Sequence, residues 1–423
     1  MPTRSSDLAK GLRRLGVVIL IAPMLWAPLV FVFWKLKGVD PDGARPFLLS
    51  FVGWDMAVGA GVFALASVTT RYPGKRWADG LTVAVTCTLL FLADRLLLAF
   101  VGVPYWSPDP RLIYRMRPHT RAECRTSGDC RWATNSYGFF DTEFPVQKPA
   151  GEIRVLVLGD SVTMAYRLAP GESYPHRLEV ALNPQGHSSP PVKIINTAVE
   201  GYATDQESVM LEESLRFQPD FVILGFCLND VTEPFVIDLR LGGIGIRYGQ
   251  VVQFKIPVLS YLVNETGFGQ AMLNLPGVRA SMDRREQRSI DESLNPSSIA
   301  GLKREDPRAK RGWDLTLGSL DRITATTRER NIPFLMLIFP FDFQFFDESR
   351  KEPQRILLNY CRTRGIDCLN MVDVFEKEIL NPAHPAKIGD FFFDPDHLTH
   401  RGHEVVAQTV KAYLLHRGWL ARP

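Results

Sequence analysis

The chain has 423 residues and a formal net charge of +3, with 46% hydrophobic and 22% charged side chains. So small a charge on so long a chain argues against nucleic acid as a partner. The length exceeds one typical domain and leaves room for a large core plus a second region.

The apolar surplus sits in the first hundred positions. Residues 15–34 carry no charge, and at about 1.5 Å per residue they match a hydrocarbon layer about 30 Å thick. A second apolar run, 47–69, is broken only by Asp55, and a third, about 79–103, starts at Asp79 and is interrupted by Asp94 and Arg95. The expectation is a region 1–105 of about three transmembrane helices, with the lipid bilayer as partner. Arg4, Lys10, Arg13 and Arg14 precede the first run, and Arg71, Lys75 and Arg76 lie between the second and third. Basic residues collect on the cytoplasmic side. This places the N-terminus inside an inner membrane and the rest of the chain outside, in the periplasm. Tyr105 and Trp106 then fall at the exit interface. Charges in hydrocarbon pair, so Asp55 is expected opposite Arg95, with Asp94 as the competing partner.

A lead-in segment, 106–150, follows. It holds Cys124 and Cys130, and Cys361 and Cys368 form a second close pair near the other end. Local disulfides at both places fit an oxidising compartment, with four free thiols in a reducing one as the alternative.

From residue 151 the pattern alternates. Apolar, partly β-branched runs at 153–158, 192–196, 221–226, 333–339 and 366–370 read as strands. Helices are expected over 163–183, 205–217, 313–330, 349–364 and 401–417. Such alternation predicts an α/β fold with a parallel sheet over 151–423. Residues 231–312 break it and read as an insertion, either a solvated surface loop or a lid over the site.

The first strand ends in Gly159-Asp160-Ser161. A serine at a sharp strand-to-helix turn exposes its hydroxyl beside a helix N-terminus, which makes Ser161 a candidate nucleophile. The same three residues also suit an ordinary turn and N-cap. Near the C-terminus, Asp394 and His397 stand three apart in one loop, with Asp396 also flanking the histidine, and spacing alone does not choose between the two carboxylates. A nucleophilic serine needs a base, and the base an acceptor that fixes its tautomer. Gly201 and Asn229 each follow a strand-like run and supply candidate oxyanion donors together with the Ser161 N–H. His397, His400 and His403 invite a metal reading, but three-residue steps on a helix turn the third ligand away from the first. No metal and no cofactor is expected.

Gly159-Asp160-Ser161, Gly201, Asn229-Asp230 and Asp394-Pro395-Asp396-His397, in that order, resemble the blocks of the SGNH (GDSL-like) hydrolase family. The phrase Thr-Asn-Ser-Tyr-Gly-Phe-Phe at 134–140 resembles the lead-in of its bacterial, membrane-anchored members. The resemblance covers roughly 130–420 and departs at Cys227, where the family usually has glycine. It implies a flavodoxin-like, three-layer α/β/α domain. It also implies a Ser161–His397–Asp394 triad, with oxyanion donors at Ser161, Gly201 and Asn229. The activity it implies is that of a membrane-anchored esterase or deacetylase on acyl esters, including acylated glycans. The alternatives are an O-acyltransferase served by a membrane acyl-donor partner and a silent glycan-binding domain.

Overall fold

The computed structural model describes residues 88, 90–99, 101, 105–123, 131–184, 190–232, 245–248, 251–254, 257–275, 278, 295–383 and 385–419. The chain divides into two compact units, one of 1–104 with 256–285, the other of 105–255 with 286–423. The lead-in thus shares a unit with the sheet, and the segment 256–285 groups with the N-terminal region.

The larger unit is built on five parallel strands: β5 (Ile153–Gly159), β6 (Val192–Asn196), β7 (Phe221–Phe226), β10 (Phe334–Ile338) and β11 (Asp367–Asn370). Their order is β11-β10-β7-β5-β6, the flavodoxin-like order with its switch point between β5 and β7. Four of these strands are buried along their whole length and β11 is half-buried. Burial on both faces explains why the strands read as continuous apolar runs and not as alternating ones. Between β5 and β6 runs α2 (Tyr174–Leu182), which packs against α11 (His400–His416). Between β6 and β7 runs α3 (Thr204–Ser214), packed on α7 (Lys310–Glu329), which leads into β10. Right-handed crossovers put connections that step in opposite directions along a sheet on opposite faces, giving α2 and α11 one face and α3 and α7 the other. After β10 come α8 (Glu352–Arg364), then, directly after β11, α9 (Met371–Ile379), and then the single turn α10 (Ile388–Phe391).

Each expected strand is present. The single helix expected over 163–183 is a correction. It is three pieces: one helical turn, α1 (Ser161–Met164), a 3-10 turn at Pro170–Glu172, and then α2. Ala165 and Arg167 adopt left-handed backbone, at φ 69° and 67°, and stop α1 after a turn. Pro175 sits in the first turn of α2, where its missing N–H costs nothing. Helix α9 had no expectation attached.

The lead-in is a wrap around the sheet. Strands β1 (Trp106–Asp109) and β2 (Ile113–Met116) form a hairpin, and β3 (Arg121–Glu123) pairs with β4 (Arg131–Ala133). Asn135 closes the 134–140 phrase, its side chain accepting from Tyr137 N and Phe139 N at 2.9 and 3.0 Å. The fully buried Arg154 of β5 donates to the carbonyls of Pro145, Val146 and Phe217 at 2.8–2.9 Å and to Glu152 at 2.7 Å. Within 231–312 lie a hairpin of β8 (Gly245–Tyr248) and β9 (Val251–Phe254), the helices α4 (Pro257–Asn264) and α5 (Gly267–Leu273), and the turn of helix α6 (Pro296–Ile299).

In the smaller unit, residues 90–99 are helical. Asp94 takes the guanidinium of Arg95 and accepts from Phe268 N at 3.1 Å, while Arg95 donates to the Glu265 carbonyl at 2.9 Å. Arg95 is therefore engaged by Asp94; Asp55, and the apolar runs 15–34 and 47–69, lie outside the described residues. Among the described residues no helix is long and apolar enough to cross a membrane.

Cys361, near the end of α8, is disulfide-bonded to Cys368 of β11, with Cα atoms 6.4 Å apart. Cys124 and Cys130 lie outside the described residues.

Candidate active site

The site sits where the topology predicts, beyond the C-terminal ends of β5 and β7. Strand β5 delivers Gly159-Asp160-Ser161. Gly159 lies opposite Gly225 of β7, and a Cβ at either position would meet Thr163 Oγ1 at 2.3 or 2.2 Å. These two glycines make the slot that seats Thr163, so α1 begins directly against the sheet. Asp160 caps α1, its Oδ1 accepting from Val162 N at 2.9 Å.

Ser161 Oγ lies 2.9 Å from His397 Nε2. His397 Nδ1 lies 2.8 and 2.9 Å from the two oxygens of Asp394, and the His397 backbone N–H donates to the same carboxylate at 2.9 Å. The three-residue spacing allows this because the loop curls the Asp394 carboxylate back onto the chain. The loop closes with Phe393 N donating to the His397 carbonyl, and α11 follows, capped by Thr399. Burial acts to raise the Asp394 carboxyl, but the bonds from His397 outweigh it and hold it at about 2. Burial acts to lower His397, and the bond to Asp394 with the charges of Asp396, Asp394 and Asp160 overcomes it, so the imidazole lies above its ordinary value. Such a chain can take a proton from the serine and hold it on the ring.

Gly201 follows β6 and itself adopts left-handed backbone, at φ 72°. The backbone N–H groups of Ser161 and Gly201 donate to no described group. Asn229, after β7, gives one amide hydrogen to Asp160 Oδ2 at 2.8 Å; a carboxamide has a second, and that one is available to a ligand. Asp160 therefore ties the serine turn to the asparagine loop. Burial raises its carboxyl, against the bonds from Asn229 and Val162.

Asp160 as a tie was not legible in the sequence, because nothing local announces a bond 69 residues away. Nor were the rings around the base. Tyr166 lies 4.7 Å from the His397 ring and Phe393 5.8 Å from it, nearly parallel. Asp396 stands 3.4 Å from His397 Nδ1. Burial, with Asp160 and Asp394 close by, pushes its carboxyl up to about 6. Cys227 is a buried free thiol, raised well above its usual range by burial and by the carboxyls of Asp160, Asp396 and Asp230.

Asp394, Asp396 and His397 offer donor atoms within 4.8 Å of one another, but both ring nitrogens of His397 are already spent on Ser161 and Asp394. The other two histidines point elsewhere. His400 pairs with Glu172 at 2.8 Å, and His403, buried and held neutral with a value of about 3, accepts from Tyr174 N at 3.2 Å.

Residues 157–405, more than half of the chain, match the model of the GDSL-like lipase/acylhydrolase family. The chain belongs to that family. It is a GDSL-like, or SGNH, hydrolase. No curated protein matches it. Solved structures similar to this hydrolase include an alpha/beta hydrolase enzyme from the metagenome of Lake Arreo, Spain, at 16% identity and TM-score 0.38, covering 63% of this chain and 96% of that one. A lipase/acylhydrolase from Enterococcus faecalis is 11% identical, with TM-score 0.35 and coverage of 63% and 96%. A catalytic mutant of an acetylxylan esterase from Geobacillus stearothermophilus is 14% identical, with TM-score 0.36 and coverage of 64% and 95%.

Proposed function

We propose that this GDSL-like hydrolase is a membrane-anchored serine esterase or deacetylase acting on acyl esters outside the cytoplasm. The observation that carries it is the unbroken chain Ser161 Oγ–His397 Nε2 and His397 Nδ1–Asp394, at 2.9 and 2.8 Å. Ser161 attacks the ester carbonyl while His397 takes its proton. The tetrahedral oxyanion lies among the N–H groups of Ser161 and Gly201 and the free amide hydrogen of Asn229. His397 then gives the proton to the leaving alcohol, and water, activated by the same ring, releases the acyl group. Asp394 holds the ring with Nδ1 protonated and Nε2 toward the serine throughout.

Anchoring rests on the apolar runs of 1–105 and on exposed Leu90, Phe91, Leu92 and Leu96, with Leu259, Tyr261, Leu262 and Phe268 on α4 and α5 of the same unit. Exposed apolar side chains in such numbers suit contact with lipid. The Cys361–Cys368 disulfide supports an oxidising compartment, and an acylated cell-surface glycan is the substrate class that fits the place.

The test is to incubate the full-length, detergent-purified protein with a fluorophosphonate probe and a short-chain aryl ester. Labelling at Ser161 with turnover is expected. Turnover only when a sugar alcohol is added would make the protein a transferase, and neither labelling nor turnover would leave a silent binding domain.

A further inference from the structure

The hairpin of β1 and β2 is docked on the loop that carries Gly201. Tyr114, buried on β2, donates its hydroxyl to the carbonyl of Glu200 at 2.6 Å. Tyr202 returns the bond, its hydroxyl donating to the Tyr114 carbonyl at 2.7 Å, and the two rings meet edge-on at 5.4 Å. Gln206 donates to the Leu112 carbonyl at 2.7 Å and caps Ala203 N at 3.1 Å. Trp106 closes the other side of Tyr114, with ring centroids 4.9 Å apart. Ile113, next to Tyr114, holds φ 71°, a left-handed backbone that a β-branched residue adopts only where its surroundings impose it.

The Glu200 carbonyl and the Gly201 N–H belong to one peptide unit. In a trans peptide the two point in opposite directions. A donor fixed on the carbonyl side therefore sets where the N–H is aimed, and it polarises the amide so that the N–H becomes a stronger donor. The Gly201 N–H has no described acceptor, and glycine at this left-handed position has no Cβ to restrict the orientation of its peptide.

We propose that Tyr114 is a positioning residue for the reaction: its hydroxyl locks the Glu200–Gly201 peptide so that the Gly201 N–H faces the oxyanion, which ties one residue of the lead-in to the active site. This rests on the esterase reading. The chemistry at Ser161 is unchanged by it; only the stabilisation of the tetrahedral oxyanion depends on Tyr114.

The experiment compares wild type, Tyr114→Phe and Arg111→Ala in the full-length, detergent-purified protein. Arg111, in the turn of the same hairpin, pairs in solvent with Glu212 and Glu213 on α3, so its loss changes a surface contact of little worth and leaves the Tyr114–Glu200 bond in place. Three quantities are measured: the second-order rate of fluorophosphonate labelling, kcat and KM for the aryl ester per labelled site, and the thermal unfolding midpoint. Outright loss of an oxyanion donor costs about 10²–10³-fold in kcat; a loosened one is expected to cost about tenfold, with KM within about twofold. Labelling of Tyr114→Phe should slow in parallel, and Arg111→Ala should keep wild-type values. Wild-type rates per labelled site in Tyr114→Phe, however low its unfolding midpoint, would overturn the proposal. So would a loss confined to KM. If the wild type labels but turns over no ester, the esterase reading fails while the labelling rates still decide the role of Tyr114. A wild type that neither labels nor turns over removes both.

Discussion

At the scale of single residues, the site is three side chains in a row and a second carboxylate, Asp396, beside them. Ser161→Ala removes the proposed nucleophile and His397→Ala its proposed base. Members of such a unit fail together, so each is expected to cost on the order of 10⁴-fold or more in turnover, with the double variant little worse. Asn229→Ala leaves the nucleophile and should cost about 10²–10³-fold, mostly in kcat. It also frees Asp160 Oδ2 of its partner, so unfolding must be followed alongside the kinetics. A folded Ser161→Ala with near-normal ester turnover would exclude the mechanism. Asp396 gives a test with a sign. Its carboxylate, 3.4 Å from Nδ1, favours the charged imidazole, and only the neutral ring acts as base. In Asp396→Asn that charge is gone, His397 becomes easier to deprotonate, and the acid limb of kcat/KM against pH moves to lower pH. A limb that stays put or moves up would show that Asp396 does not act on the ring.

At the scale of elements, two helices set the depth of the catalytic loop. The Asp394–His397 loop hangs between β11 with α9 and the start of α11, and α11 is fixed to α2 by His403 and by Arg177 with Glu404 at 2.8 Å. The base therefore reaches the serine only if α11 is seated, which is why a loop at 394–397 can meet a turn at 161. The Cys361–Cys368 bridge pins the end of α8 to β11, the strand that leads toward this loop. Closing so short a loop is worth about 2–3 kcal/mol by the chain-entropy argument. Replacing both cysteines by serine should lower the unfolding midpoint by that equivalent and leave kcat per labelled site close to wild type. An unchanged midpoint would mean that the bridge is idle in solution.

At the scale of the whole molecule, the chain is two units with different surfaces. One carries the sheet, the site and the lead-in. The other exposes leucine and phenylalanine at closer spacing on its described helices, as at Leu90, Phe91, Leu92 and Leu96. The lead-in is held to the sheet by Arg154, fully buried on a central strand and surrounded by carbonyls from 145, 146 and 217. A second tie joins it to β6, where Lys193 bonds Asp141 and Glu179 at 3.1 and 3.0 Å. Arg154→Met should destabilise the larger unit by about 3–5 kcal/mol, because it strands Glu152 and several buried carbonyls. Urea unfolding of the full chain would measure it. A loss under about 1 kcal/mol, the range of an exposed pair, would mean that water reaches those carbonyls.

The sequence alone determined the five strands and their parallel α/β arrangement, because a strand buried on both faces must be apolar throughout, and it determined the family, because Gly159-Asp160-Ser161, Gly201, Asn229-Asp230 and Asp394-Pro395-Asp396-His397 stand in the family's order. Close spacing permitted the Cys361–Cys368 bridge without deciding against free thiols; the structure decides it, with the end of α8 and the start of β11 bringing the two Cα atoms within 6.4 Å. The broken helix after Ser161 was missed because Ala165 and Arg167 adopt left-handed backbone without being glycine, and no side-chain pattern records that. Only the tertiary structure decided what the serine loop and the asparagine loop do to one another. Asp160 and Asn229 meet because β5 and β7 are neighbours in the sheet, and neighbours in a sheet need not be neighbours in the chain. The same holds for Tyr114, whose hydroxyl meets the Glu200 carbonyl across 86 residues. A hydrogen bond between distant segments exists only once packing has removed the water that would otherwise satisfy both groups.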